Sequence, residues 1–247
     1  MSKRKKMDLM YPFVADERPN PLGGKCYECG YCYIHGKKGM KIRFKRIRDK
    51  YSGDFRLYPK ILERISNIRS DKPVFFCDCI DYLHENNSIE NILEIFYQIE
   101  NNRYGTMFLS VTKNPLKYSK VLDSIPDNLI LGFTTESNRD YPFLSNAPLQ
   151  SERNDSMLYI RGLLDLNNID NKMFISIEPI MEFDFYEFIN IIDKINPTFG
   201  VAIGYDNHHH KLIEPILRNT LVLRKYLIAR KYTVFDKSLR KAHWEKR

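Results

Sequence analysis

Short apolar runs and longer amphipathic stretches alternate along this chain. Val74–Cys77 follows Pro73, Met107–Val111 follows Gly105, and Leu129–Phe133 follows the turn-forming Pro126-Asp127-Asn128. Met173–Ile177 follows Asp170-Asn171-Lys172, Phe199–Ile203 follows Asn196-Pro197-Thr198, and Tyr232–Phe235 closes the series. Runs this short, bounded by turn residues, read as buried strands. Between them, Ile89–Glu100 and Phe185–Ile195 repeat apolar residues at three-to-four spacing, as one face of a helix requires. A third helix is expected after Pro215, where Ile216, Leu217, Leu221, Leu223 and Leu227 recur and the proline suits a first turn. Strand, helix and strand repeated in this way predict an α/β fold with a parallel sheet. Residues 140–156 are polar and turn-rich and read as an insertion loop, and no internal repeat stands out.

The polar residues that close the strands narrow the picture. Asp78 and Asp81 follow the first run, Thr112-Lys113 the second, Thr134-Thr135-Glu136 the third, and Ser176 and Glu178 the fourth. In an α/β barrel the carboxyl ends of the strands line the active-site mouth. Strand side chains alternate, so Thr134 and Glu136 are expected on one face, and Ser176 and Glu178 likewise. Any one of these residues could be an ordinary helix cap or loop start. As a set on one rim they favour a site.

A cysteine loop precedes them. Cys26, Cys29 and Cys32 fall within seven residues, too close together for a disulfide framework. Three thiolates on one tight loop suit either an iron–sulfur cluster with one iron left open or a zinc ion completed by a fourth ligand. His35 extends the spacing to Cys-x2-Cys-x2-Cys-x2-His. That alternative is a zinc-stapled nucleic-acid-binding protein without catalysis, and otherwise His35 reads as a surface-loop histidine. Cys77 and Cys79, two apart on an expected strand, read as core residues facing away from Asp78. His208-His209-His210 read as exposed, or at most near the mouth.

Composition sets bounds on these readings. At 247 residues with 43% hydrophobic content the chain fits one large domain. Its apolar runs are far shorter than a membrane span, and Asp8, Pro12 and Asp16 interrupt the stretch a signal peptide would need. Five cysteines, three of them clustered, suit a reducing compartment, so a soluble cytoplasmic protein is expected. The net charge of +8 is concentrated at the ends. Residues 1–50 hold 14 Lys and Arg against 5 Asp and Glu, and residues 224–247 hold 9 against 2. Basic stretches 37–50 and 224–247 match the footprint of a phosphate-backbone partner, or else a plain solvated surface.

With these residues in view, the chain resembles the radical SAM superfamily, and within it a phage-type three-cysteine subfamily. Asn20-Pro21 and Gly23-Gly24 stand before the cysteines, as in that subfamily. In order along the chain, Phe76–Leu83 resembles its second-strand motif and Val111–Pro115 its Leu-Thr-Lys-Arg-Pro box. Leu131–Asn138 resembles Gly-Val-Ser-Val-Glu-Asn, Ile175–Pro179 resembles Ser-Ile-Glu-Pro, and Val234–Lys237 the closing Phe-Lys. Each match is weak alone, and the collinear series over residues 18–240 is strong. The two-residue gap between Cys26 and Cys29 departs from the family's common three.

The resemblance implies a partial (β/α) barrel of six or seven parallel strands over residues 18–240, with a basic extension at 1–17 and a basic tail at 241–247. It implies a [4Fe-4S] cluster on Cys26, Cys29 and Cys32 and S-adenosylmethionine on the open iron. Reduction by an electron donor would then release a 5′-deoxyadenosyl radical that abstracts hydrogen from a substrate. Tyr31 would pack near the adenine, and Asp78 or Asp81 would contact the methionine amino group. Thr134, Glu136 and Ser176 would contact ribose or substrate, and Lys113 and Glu178 would donate protons or anchor the substrate, which the basic ends suggest is a nucleic acid.

Overall fold

The structure, a computed structural model, describes residues 11–36 and 39–245. Residues 1–10, Lys37-Lys38 and residues 246–247, parts of the expected basic segments, lie outside the described residues. Strands β1 (Leu22–Gly23) and β2 (Arg56–Leu57) pair antiparallel, with Leu22 opposite Leu57. The short helices α1 (Met40–Arg43) and α2 (Lys45–Lys50) lie between them in sequence, and α3 (Pro59–Ile65) follows, its proline in the first turn.

Six parallel strands come next: β3 (Val74–Phe75), β4 (Phe108–Thr112), β5 (Leu129–Thr134), β6 (Met173–Ile177), β7 (Gly200–Ile203) and β8 (Val234–Asp236). Their order in the sheet is their order in the chain, and the sheet curls into a half-barrel. The register runs Leu109 to Ile130, Gly132 to Phe174, Ser176 to Ala202 and Ala202 to Phe235. Gly132 is required at its place in β5, because a Cβ there would collide with the Ser110 carbonyl oxygen on β4.

Helices α4 (Ile89–Glu100), α5 (Gln150–Leu166), α6 (Phe185–Ile195) and α7 (Leu217–Ala229) connect the strands. The expected α4 and α6 match residue for residue. Ser88 caps α4 by accepting the Asn91 N–H at 3.2 Å, and Ile92, Ile95, Phe96 and Ile99 face the core. α6 buries Phe188, Ile189, Ile192 and Ile195 and ends at Asn196, whose φ of 52° is left-handed.

The reading of 140–156 as a loop is corrected: helix α5 starts at Gln150. The buried face of its first turns is polar, namely Gln150, Arg153 and Asn154, and apolar spacing emerges only from Met157 through Ile160 and Leu164. A pattern search sees no apolar stripe where the stripe is made of hydrogen-bonding groups.

Both faces of the sheet are buried, which explains its near-continuous apolar strands. The convex side packs Leu129, Leu131, Phe133, Met173, Ile175, Val201 and Ile203 against the helices. The concave side presents Phe75, Leu109, Ile130, Phe174 and Ala202, which Tyr11 and Val14 cover. The Ala15 N–H bonds the Pro73 carbonyl at 2.9 Å, so this segment runs beside the start of β3. Among the described residues no helix is long and apolar enough to cross a membrane.

Candidate functional site

A cavity of about 430 Å³ opens at the carboxyl ends of the strands. Cys26, Cys29, Tyr31, Cys32, Asp78, Asp81, Lys113, Thr134, Ser176 and Glu178 all line it. Of the residues expected to bind cluster, cofactor or substrate, Glu136 alone stands behind the wall, fully buried.

The cysteine loop turns tightly. The Cys32 N–H bonds the Cys29 carbonyl at 2.9 Å, and the Gly36 N–H bonds the Cys32 carbonyl at 2.8 Å. A side chain on Gly36 would press on that same carbonyl at 2.5 Å. Backbone amides point at two of the sulfurs: Asp81 N–H at Cys26 Sγ, and Ile34 and His35 N–H at Cys32 Sγ, each 3.4 Å. Burial pushes the Cys26 and Cys32 thiols up, Asp81 adding to the effect at Cys26. Metal binding would release those protons.

Three thiols on one cavity wall, two already receiving N–H groups, fit an iron–sulfur cluster, whose cysteines bind separate iron corners. Among the described residues no three His, Cys, Asp or Glu side chains gather as a single metal ion would require, so the Cys₃His zinc arrangement is not assembled. His35 is no surface-loop residue. It is half-buried against the Tyr51 ring, with both ring nitrogens buried and unpartnered, and does not line the cavity. Burial, reinforced by Lys41, lowers its pKa to about 4.

Behind the loop stands a buried network. The Tyr31 hydroxyl donates to Glu136 Oε1 at 2.5 Å, and Lys113 Nζ pairs with the same oxygen and lies 2.9 Å from the Tyr31 hydroxyl. Arg153 Nη1 on α5 donates to Glu136 Oε2 at 2.6 Å. Burial alone would raise the Glu136 carboxyl, but Arg153 and Lys113 outweigh it and hold it down at about 2. Strand alternation therefore misplaced Glu136: β5 ends at Thr134, and the chain bends so that Thr134 faces the cavity while Glu136 serves the network.

The two aspartates divide their tasks. Asp81 is pinned on every side, Oδ1 accepting the Leu83 N–H at 3.0 Å and the Thr112 hydroxyl at 2.8 Å, and Oδ2 the Lys113 N–H at 2.6 Å. Asp78 is tied by Asn20 Nδ2 at 2.6 Å and faces Arg18 at 3.9 Å. Cys77 and Cys79 do not face away from it. β3 stops at Phe75 and Cys77 takes a φ of 53°, so residues 77–81 turn out of the sheet and all line the cavity.

Across the cavity, Lys237 Nζ donates to Glu178 Oε2 at 2.6 Å and lies 4.8 Å from the Tyr11 ring centroid. Burial raises the Glu178 carboxyl, with Lys237 opposing. Ser176 Oγ shares a 2.7 Å hydrogen bond with the Tyr11 hydroxyl. The exposed His208 joins this rim, while His210 pairs with Asp206 at 3.0 Å.

Sequence reasoning missed Arg153, Lys237 as the Glu178 partner, Tyr11, and the segment around Ser145 that touches the cysteine loop. The closing Phe-Lys motif pointed to Lys237. The others lay in stretches read as a loop or an extension.

The site thus sits at the mouth of a parallel half-barrel whose strand ends carry polar groups to one cavity. No family model matches the chain, and no curated protein matches it in sequence. Among solved structures, a cysteine-to-serine mutant of spore photoproduct lyase is similar with a TM-score of 0.52 at 14% identity, over 82% of this chain and 59% of that one. SuiB of Streptococcus suis bound to S-adenosylmethionine is similar with a TM-score of 0.51 at 8% identity, over 90% of this chain and 49% of that one. Both are radical SAM enzymes, and the half-barrel is the fold that the radical SAM resemblance implied. The chain spans about half to three fifths of the length of these two structures.

Proposed function

We propose that the chain is a radical SAM enzyme in which Cys26, Cys29 and Cys32 hold a [4Fe-4S] cluster. The observation that carries this reading is the meeting of all three cysteines with the polar strand ends in one cavity. With S-adenosylmethionine bound, such a cluster supplies a 5′-deoxyadenosyl radical that removes a hydrogen atom from substrate. The chain's own residues prepare the place. Tyr31, fixed by Glu136, orients the cysteine loop, and Asp78 offers a carboxylate to the methionine ammonium beside the cysteines. Thr134 and Ser176 present hydroxyls along the wall to ribose. Glu178, raised by burial, holds or yields a proton at its carboxyl, whose Oε2 accepts from Lys237, and Lys113 keeps a cation on the wall opposite.

The substrate reading is a nucleic acid. Supporting it, Arg43, Lys45, Arg46 and Arg48 are exposed together with Ile42 and Phe44, interleaving cations with apolar surface on the segment that follows the cysteine loop. Basic residues of 224–247 would extend that surface, an electron donor would reduce the cluster, and a reducing cytoplasm would protect it. Binding to single- or double-stranded nucleic acid should weaken steeply with salt, and a salt-independent affinity would remove this substrate class.

Metal and sulfide content of anaerobically purified protein, with electron paramagnetic resonance before and after S-adenosylmethionine, tests the main reading. About four irons and four sulfides per chain, with a spectrum that the cofactor shifts, is expected. Cys29→Ala should lose most of the iron. Stoichiometric zinc with no cluster after anaerobic reconstitution would sink the proposal.

A further inference from the structure

Each of the three clustered sulfurs takes part in a hydrogen bond, and the partners differ in kind. Those at Cys26 and Cys32 are backbone N–H groups, supplied by the turns themselves. Cys29, only 7% exposed, meets the Ser145 hydroxyl instead, with Sγ and Oγ 3.0 Å apart across 116 positions of sequence. Ser145 Oγ already accepts the Ala147 N–H at 3.0 Å. A thiolate carries no proton, so with Cys29 deprotonated the hydroxyl hydrogen must go to sulfur.

The approach of Ser145 is built by its neighbours. On one side the Gly30 N–H bonds the Leu144 carbonyl at 2.7 Å, and on the other the Asn146 N–H bonds the Tyr27 carbonyl at 3.1 Å. Both bonds join the segment to the cysteine loop. The segment is itself anchored at its start, where the Tyr141 hydroxyl donates to the Glu182 carbonyl at 2.9 Å and Asp140 accepts the Ser151 N–H and hydroxyl at 2.8 Å each. Residues 140–149 therefore form a clasp over the cysteine loop, with Ser145 at its point of contact with sulfur.

We propose that Ser145 is a positioning residue that donates its hydroxyl hydrogen to the Cys29 thiolate and raises the reduction potential of the cluster held by the loop. The proposal rests on the reading that Cys26, Cys29 and Cys32 bind that cluster. A donor at sulfur stabilises the more negative, reduced state, so the potential rises. The donors at Cys26 and Cys32 belong to the backbone, whereas this one can be removed by a point substitution.

The test is a redox titration, followed by electron paramagnetic resonance, of the anaerobically reconstituted full chain and of Ser145→Ala, Ser145→Val and Ser145→Thr. Threonine keeps the hydroxyl, and valine is its near-isostere without one. The expected result is equal iron content throughout, with the Ala and Val variants titrating at more negative potential and the Thr variant staying with the parent. Ala and Val potentials equal to the parent's would overturn the proposal, and so would Val and Thr shifting together, since that points to shape instead of the hydroxyl. If the Ala variant fails to load iron, the Val and Thr pair decides the question by the same comparison. Failure of the parent to form any cluster is a separate outcome, read from iron content, which overturns the underlying reading and this proposal with it.

Discussion

Glu136 shows how a single buried carboxylate can organise a site from behind it. It touches no cavity space, yet it fixes Tyr31 beside the cysteines and pairs with cations from β4's end and from α5. Its folded pKa of about 2 lies below the ordinary 4.5. The stability this shift contributes is therefore complete above pH about 4.5 and is lost as pH falls towards 2, on the order of 3 kcal/mol in all. Asp81 and Glu178 are raised by burial and act with the opposite sign, their contributions shrinking as pH rises through their range. The comparison with Glu136→Gln isolates the effect. Urea midpoints of the parent should fall between pH about 5 and about 3 more steeply than those of the variant. Parallel profiles would show that Glu136 is not held as a paired anion.

Helix α5 carries the same network one level up. Arg153 reaches Glu136 from its first turns, and Gln150 and Asn154 engage the Thr135 hydroxyl, each at 2.8 Å. Arg153→Met keeps much of the stem and removes the charge, leaving Glu136 with Lys113 alone. A loss of about 3 kcal/mol is expected in urea unfolding, because the carboxylate stays buried with one partner fewer. Adding Glu136→Gln to that variant should recover part of the loss, and strict additivity of the two would mean that the residues are not coupled. This element also marks where the sequence stopped being legible. β6, α4 and α6 could be bounded to the residue because apolar spacing and turn residues agree there. The polar strand ends were recognisable as one rim because parallel topology gathers them. α5 was hidden because the side chains it buries first are polar, and Cys77 and Cys79 were misdirected because a left-handed residue ends β3 early. Those two departures both occur beside the cavity, where a buried hydrogen-bonding group or a bent strand end is needed and local propensity is overruled.

At the scale of the whole molecule, a half-barrel has a problem that a closed barrel lacks: its concave face needs filling from elsewhere in the chain. Here residues 11–15 do it. Tyr11, 6% exposed, packs its ring edge-on to Phe75 and Phe174, and Phe13 lies against Phe174, Phe199 and Phe235. The same Tyr11 ring borders the cavity, and its hydroxyl meets Ser176 there, so the segment fills the core below while lining the site above. Two substitutions separate these tasks. Tyr11→Phe keeps the packing and removes the hydroxyl, which should cost about 1 kcal/mol and leave Ser176 free towards the cavity. Tyr11→Ala removes the ring and should cost about 3 to 5 kcal/mol, because the curled sheet cannot collapse to fill the space. Urea unfolding of the parent and both variants reads this difference. A Tyr11→Ala loss no larger than that of Tyr11→Phe would mean that the ring carries no packing energy and that the N-terminal segment only rests on the barrel. The expected ordering would make this segment part of the smallest unit that folds.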